Sequence, residues 1–251
     1  MHAAGLTAIG LVRSHNEDTI YHTTNPIGPL PNLFMVADGM GGHNAGEIAS
    51  EKSLEYCCGF ILEASNMPLV APEDFKALLV EAVIQANKDV YAHSQLKFEF
   101  MGMGTTFSAC TVVGETLVVA HIGDSRIYTI ASGCITQITT DHTYVAEMVQ
   151  AGSLSKADAK THPKRNQLTR VLGCEVPIQV DGSLHSLKVV DSVLLCSDGL
   201  TDMLTDEEIM NIVNQDASPQ SRAQALINAA NSNGGIDNIS AIIIDVKGET
   251  N

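Results

Sequence analysis

Thr105-Thr106-Phe107-Ser108-Ala109-Cys110-Thr111-Val112-Val113-Gly114-Glu115-Thr116-Leu117-Val118-Val119-Ala120-His121-Ile122 reads as two strands joined at a Gly114-Glu115 turn. Both strands are apolar or small on both faces, so another sheet or helices must cover each face. A second hairpin follows, Arg126 to Ile130 and Cys134 to Ile138, turning at Ala131-Ser132-Gly133. Such tight connections require antiparallel pairing. Upstream, Leu33 to Ala37 reads as a buried strand ending at Asp38. Ala45 to Leu62 reads as a helix with Ala45, Ile48, Ala49, Tyr56, Cys57 and Phe60 near one face. Pro72 opens a second helix from its first turn, with Phe75, Leu78, Leu79, Ala82, Val83, Ala86 and Val90 as its apolar stripe.

Downstream, Tyr144 to Ala151 is predicted as a short helix stopped by Gly152. Ser153 to Gln167 is polar and without period, the mark of a surface flap within about 145–170. Val193 to Cys196 reads as a strand. Thr205-x-x-Glu208 is a capping box for a helix through Val213, and Ser218-Pro219 caps and opens another. Ile239 to Val246 reads as a last strand. Hairpin-linked strands with helices gathered in pairs define an α+β class. There is no repeat, low-complexity tract or linker, so residues 1–251 are expected to form one domain.

The chain carries a net charge of −15 and is 45% hydrophobic over 251 residues. That is ample apolar matter for a core. The charge disfavours nucleic acid or an anionic membrane as partner. Cys57, Cys58, Cys110, Cys134, Cys174 and Cys196 show no zinc spacing. They read as reduced core thiols of a cytoplasmic protein. No secretory signal is visible, and no apolar run reaches the ~20 residues of a membrane helix.

Short acidic signatures punctuate this frame: Asn16-Glu17-Asp18, Asp38-Gly39-Met40-Gly41-Gly42, Gly123-Asp124-Ser125-Arg126, Ser197-Asp198-Gly199 and Asp237-Asn238. Asp38, Asp198 and Asp237 stand at the edges of apolar runs. A carboxylate there is costly unless paired or bound to a cation. The set is all oxygen, as Mg²⁺ and Mn²⁺ prefer, with no Cys or His group suited to zinc. Glycines beside Asp38 let the backbone approach an ion. A dinucleotide-binding loop does not fit, because Asn occupies position 44 and Asp38 would repel a phosphate. Gly102-x-Gly104-Thr105-Thr106 lacks the lysine of a P-loop and reads as strand entry. Arg13 is either a salt-bridge partner of the acids or a bidentate phosphate ligand. His121 reads as a core residue, and His2, His22, His93 and His185 as surface residues. His15, His43, His142 and His162 lie near the motifs. No G-x-S-x-G elbow supports a serine hydrolase.

In this order, Arg13-x-x-Asn16-Glu17-Asp18, Asp38-Gly39-Met40-Gly41-Gly42, Gly104-Thr105-Thr106, Gly123-Asp124-Ser125-Arg126, Ser197-Asp198-Gly199 and Asp237-Asn238 resemble the metal-dependent Ser/Thr protein phosphatases of the PPM, or protein phosphatase 2C, family in its bacterial branch. The resemblance runs from about Gly5 to Val246. It implies a four-layer α/β/β/α sandwich, two mainly antiparallel sheets flanked by helix pairs. It implies two Mn²⁺ or Mg²⁺ ions and a third, weaker one. Asp38 would bridge the pair, the Gly39 carbonyl would bind one ion, and Asp198 and Asp237 the other. Asp124 with Asp198 would serve the third. Glu17 and Asp18 would hold water behind the metals, and Arg13 would clamp the substrate phosphate. A hydroxide bridging the two ions would hydrolyse phosphoserine or phosphothreonine directly, without a phosphoenzyme, since no Cys-x5-Arg loop exists. Many eukaryotic members carry a histidine, a proposed general acid, where this chain has Met40. The leaving alkoxide then needs another proton source: water at the Asp124 ion, or His43 or His162. The expected partners are phosphorylated proteins, targets of Ser/Thr kinases, met by a monomer. A catalytically dead phosphoprotein scaffold should have lost carboxylates, and none is lost here. The other alternative is a two-metal nuclease or nucleotide hydrolase: the charge of −15 and the lack of a basic stripe disfavour nucleic acid, while a small phosphate substrate stays open.

Overall fold

A computed structural model describes residues 1–41 and 45–246. The strands are β1 (His2–Ala8), β2 (Asp18–Thr23), β3 (Leu33–Met40), β4 (Gly104–Thr105), β5 (Phe107–Val113), β6 (Thr116–Ile122), β7 (Arg126–Ala131), β8 (Cys134–Gln137), β9 (Asp181–Ser186), β10 (Ser192–Cys196) and β11 (Ile239–Asp245). The helices are α1 (Ala45–Glu63), α2 (Pro72–Ser94), α3 (Tyr144–Gln150), α4 (Lys156–Ala159), α5 (Asp198–Thr201), α6 (Asp206–Val213) and α7 (Pro219–Ser232). One sheet runs β1-β11-β10-β7-β8. The other runs β2-β3-β5-β6-β9, with β4 paired to β3. Every paired strand is antiparallel.

Strand alternation sorts the core into three layers. On β3, Phe34 and Val36 point between the sheets, where they meet Cys110, Leu117, Val119, Val193, Leu195, Ile242 and Ile244. Leu33, Met35 and Ala37 point the other way, onto α1 and α2. On the far side, Tyr128, Leu194, Cys196, Ala241 and Ile243 pack against α5, α6 and α7. This is the expected α/β/β/α layering. It also explains the doubly apolar hairpin: β5 and β6 are sandwiched between a helix pair and a second sheet. Truncating a large member such as Phe34 to alanine would cost ~3–5 kcal/mol.

Local signals placed the helix ends correctly. Thr205 Oγ1 accepts the Glu208 amide at 3.3 Å, and Glu208 Oε2 accepts the Thr205 amide at 2.8 Å. Ser218 Oγ accepts the Ser221 amide at 3.2 Å. Four sequence expectations are corrected. The strand containing Leu33 to Ala37 does not end at Asp38 but continues to Met40, because β2 and β4 pair with its last residues. Thr106 breaks the long strand expected from Thr105, since its hydroxyl and amide both engage Asp38. Cys134 and Cys174 are exposed and Cys58 is half-buried, leaving Cys57, Cys110 and Cys196 as core thiols. His93 and His185 are half-buried through bonds to Tyr56 and Ser183 rather than free surface residues. Among the described residues no helix is long and apolar enough to cross a membrane.

Candidate metal centre and active site

The acidic motifs converge because the strands carrying them pair at one end of the sandwich. Asp18 opens β2 directly opposite Asp38 on β3. Like charges facing one another across a ladder are destabilising, so the pairing needs a counter-charge or a shared proton. Ser197-Asp198-Gly199 leads from β10 into α5, and Asp237-Asn238 leads into β11, the neighbour of β10. The two turns touch. A Cβ on Gly199 would lie 2.0 Å from the Asn238 carbonyl oxygen, so only glycine fits there. Gly39 is equally confined. A Cβ would meet the Gly46 carbonyl oxygen at 2.1 Å and the Glu17 carbonyl oxygen at 2.6 Å. The N-terminal turn of α1 thereby closes on the Glu17 and Asp38 segments.

A hydroxyl and amide scaffold fixes these segments. Asp18 is buried, and its Oδ2 accepts from Ser197 Oγ and Ser240 Oγ, both at 2.7 Å. Asn238 accepts the Glu17 amide at 2.8 Å and donates to the carbonyls of Ile9 and His15. Thr106 Oγ1 accepts the Asp38 amide at 3.0 Å and touches Ser125 Oγ at 2.7 Å, while Thr105 Oγ1 donates to the Asp38 carbonyl. Ser50 Oγ donates to the Glu17 carbonyl at 2.6 Å. None of these serine, threonine and asparagine roles was legible in the sequence. Their only sequence signal is small polar residues inside otherwise apolar strands, such as Ser240 before Ala241-Ile242-Ile243.

The carboxylates themselves are poorly satisfied. Glu17 Oε1, Asp18 Oδ1 and Asp198 Oδ1 are buried with no hydrogen-bond partner. Burial, then the charges of Asp18, Asp198 and Asp124, pushes Asp38 well above the usual carboxylate range. Burial raises Asp18 to about 7, against the pull of its two serine donors. Burial, then Asp202 and Asp237, raises Asp198 to about 6. Burial, then Asp198, raises Asp124 strongly, and burial also raises Glu17. Asp38, Asp124, Asp198 and Asp237 are each half-buried, so the cluster lies near the surface rather than deep in the core. Orphaned buried oxygens and mutual repulsion are the demands a divalent cation would meet. The donor set fits Mn²⁺ or Mg²⁺. The fit is one of neighbourhood: among the described residues no three His, Cys, Asp or Glu side chains already close a ligand cage.

Arg13 lies at the rim, its Nη2 donating to Asp237 Oδ2 at 2.6 Å, with about half of the side chain exposed. Met40 is exposed at the end of β3. His162 sits in the flap, 6.0 Å from the Tyr144 ring, its Nδ1 accepting the Lys164 amide. His43 and Gly42 lie outside the described residues. The flap is an excursion pinched at its base by Tyr144 N to Gln167 O and Thr169 N to His142 O. Arg165 within it acts electrostatically on Asp202, lowering a carboxyl that burial raises.

Of a further group the sequence reading singled out only His142. Asp141, His142 and Thr143 bind three neighbours in succession. Asp141 holds Arg126 through a fork, with Nη2 to Oδ2 at 2.6 Å. His142 donates its amide to the Gly123 carbonyl and accepts the Gly123 amide on Nδ1 at 3.0 Å. Thr143 caps α3. The Gly123–Arg126 turn carrying Asp124 is thus clamped from both ends. A nearby cleft of about 400 Å³, lined by His121, Thr140, Asp181 and neighbours, contains none of the candidate metal carboxylates.

A four-layer sandwich whose converging carboxylates stand beside Arg13 fits a metal-dependent hydrolase of phosphate esters. The Protein phosphatase 2C family profile matches residues 12–232. The serine/threonine phosphatase stp of Listeria welshimeri is 36% identical over 245 residues, 98% of this chain and 96% of that protein. Protein phosphatase PhpP of Streptococcus pneumoniae is 34% identical over 244 residues, 97% of each. A crystal structure of a bacterial serine phosphatase superposes with a TM-score of 0.91 at 32% identity, over 100% of both chains. The catalytic domain of the phosphatase PstP, solved with 2 manganese ions, superposes at 0.83 with 32% identity over 97% of each. The chain belongs to the protein phosphatase 2C family. It is accordingly a serine/threonine protein phosphatase, a metal-dependent hydrolase acting on phosphoproteins.

Proposed function

We propose that Asp38, the Gly39 carbonyl, Asp198 and Asp237 hold a pair of Mn²⁺ or Mg²⁺ ions, with Asp124 and Asp198 serving a third, weaker site. The observation carrying this is the trio of buried, partnerless carboxylate oxygens on Glu17, Asp18 and Asp198. When bound, such ions lower the pKa of water toward ~7 and neutralise charge on a phosphoryl group. The chain's own residues do the positioning. Asp18, anchored by Ser197 and Ser240 through one oxygen, keeps its other, buried oxygen free to accept from a water that a bound ion would carry, and Glu17 acts beside it. Arg13 clamps the phosphate. Its guanidinium is already held in register by Asp237, and its rigid fork suits two phosphoryl oxygens in a trigonal-bipyramidal transition state. Met40 supplies no proton to the leaving alkoxide, so protonation falls to water or, more weakly, to His162 or His43.

Residues 1–251 act as one catalytic domain, a cytoplasmic monomer whose substrates are targets of Ser/Thr kinases, with nucleic acid no partner. The free thiols suit a reducing compartment. The test is Mn²⁺-dependent phosphate release from phosphoserine and phosphothreonine peptides, with Asp198→Ala as control. The expected result is metal-dependent release lost in the variant. Equal release by the variant would sink the assignment of Asp198.

A further inference from the structure

Beside the Arg13–Asp237 pair, the surface is apolar where an acidic chain should be wet. Leu11 is 67% exposed, Val12 68% and Ile236 45%. These are the residues immediately preceding Arg13 and Asp237. One backbone hydrogen bond, Leu11 N to Gly235 O at 2.7 Å, joins the two loops into one surface. Glycines make that junction possible. A Cβ on Gly10 would meet the Asp237 carbonyl oxygen at 2.2 Å, and one on Gly235 would lie 3.0 Å from Leu11 Cγ. Leu11 therefore spreads over Gly235. Beside it, a Cβ on Gly234 would have Ile236 Cγ2 and Met203 Sδ each at 3.7 Å. Leu11, Ile236 and Met203 thus gather as a shelf around the Gly234-Gly235 pair, with Leu11 and Ile236 on the same loops that hold Arg13 and Asp237.

We propose that this shelf is a substrate subsite taking an apolar side chain of the phosphoprotein within about three residues of the phosphorylated one. The inference rests on the reading of Arg13 as the phosphate clamp. Leu11 is two residues from Arg13, so the shelf begins within ~7 Å of chain from the clamp, a span an extended substrate covers in two or three residues. Charge cannot supply the affinity. A chain of net charge −15 gains nothing at long range from an anionic phosphopeptide, so recognition falls to short-range burial. Exposed apolar surface at a site's mouth is the usual mark of such an interaction.

The test walks a single leucine from three residues before to three residues after phosphothreonine in an otherwise serine-rich peptide. The wild-type enzyme with Mn²⁺ should prefer leucine at one or two positions by about tenfold in kcat/KM, carried by KM. In Leu11→Ser and Val12→Ser, that ratio of leucine to serine peptides should collapse to within about twofold of unity. Because both peptides meet the same variant, the ratio cancels any change in the chemistry itself. A flat profile in the wild type overturns the inference, as does a preference that survives both substitutions. A wild-type dimer that Leu11→Ser dissociates while leaving peptide preference intact also overturns it, assigning the shelf to a second copy. Hydrolysis of p-nitrophenyl phosphate by Arg13→Ala separates the underlying reading. Undiminished turnover there would remove the clamp, whereas reduced turnover with a flat leucine profile would remove only the subsite.

Discussion

Two buried polar clusters flank the Gly123-Asp124-Ser125 turn, and they are built on opposite principles. On one side, both ring nitrogens of each histidine have partners. His121 Nε2 donates to the Thr140 carbonyl at 3.1 Å, and its Nδ1 lies 2.9 Å from Ser108 Oγ. His142 Nδ1 accepts from Gly123, and its Nε2 meets Asp181 Oδ2 at 3.2 Å, a carboxylate also held by Arg170. On the other side, three carboxylate oxygens have no partner and neighbouring acids push one another's protons on. A closed network fixes geometry and is complete in itself. An open one is a cost that only a ligand can remove. The first shapes the molecule, and the second has the makings of a metal site.

The sharpest way to break this contrast is to remove one polar side chain from each cluster. Asp198→Asn should lower kcat/KM with Mn²⁺ by more than ~100-fold. Yet in EDTA it should raise stability by ~1 kcal/mol, since it deletes one of several repelling charges. His142→Ala should do the reverse, costing ~2–4 kcal/mol with or without metal, because it leaves a cavity and an unpaired Gly123 amide. Urea melts of both variants, each with EDTA and with Mn²⁺, read the two signs. An EDTA-treated Asp198→Asn less stable than wild type would end the distinction.

Acid should separate the clusters again. Burial, then the neighbouring His142, lowers His121 to about 4 from an ordinary value near 6.5. Below pH 6.5 the unfolded chain binds a proton that the folded one refuses. Stability therefore falls by roughly 3 kcal/mol as pH drops from 6.5 toward 4. Asp18 at about 7 and Asp198 at about 6 run the other way. Between pH 4 and 7 the folded state keeps protons the unfolded state has lost, so in EDTA their contribution shrinks as pH rises. Excess Mn²⁺, which competes with those protons, should reverse that second slope and leave the first. Thermal melts between pH 4 and 8 with and without Mn²⁺ test this. A Mn²⁺ stabilisation as large at pH 5 as at pH 8 would count against it.

The difference between the clusters also decided what could be read from sequence. The acidic motifs were legible because they break the local pattern: Asp38 and Asp198 stand at the ends of apolar runs, and a glycine follows each of them. The layering was legible because β5 and β6 are apolar on both faces. The closed cluster was legible only in part: His121 read correctly as a core residue and His142 as lying near the motifs, but Asp141, Thr143 and Asp181 around them looked like polar loop residues. β1, β2 and β9 were missed for a related reason. They lie at sheet edges, where mixed polar residues such as Asp181-Gly182-Ser183 are tolerated and no period emerges. The Leu11–Ile236 shelf is a matter of tertiary adjacency between distant loops, which no linear pattern encodes.

Asp18 belongs half to each kind, and the smallest predicted effect follows from that. One of its oxygens accepts from Ser197 and Ser240, while the other has no partner. Hydroxyl donors favour the ionised carboxylate, and Asp18 ionises only near pH 7 when metal is withheld. Ser240→Ala in EDTA should therefore cost ~1 kcal/mol more at pH 8, where a charge loses its donor, than at pH 6, where the acid is neutral and the loss of the Thr7 hydroxyl contact is shared by both. Ser108→Ala, which removes the hydroxyl beside His121, should instead cost ~1 kcal/mol at both pH values, because that imidazole is neutral throughout. Urea denaturation of the two variants at pH 6 and 8 makes the comparison. A Ser240→Ala penalty that ignores pH would place Asp18 with the closed network, as a structural acid rather than part of the metal site.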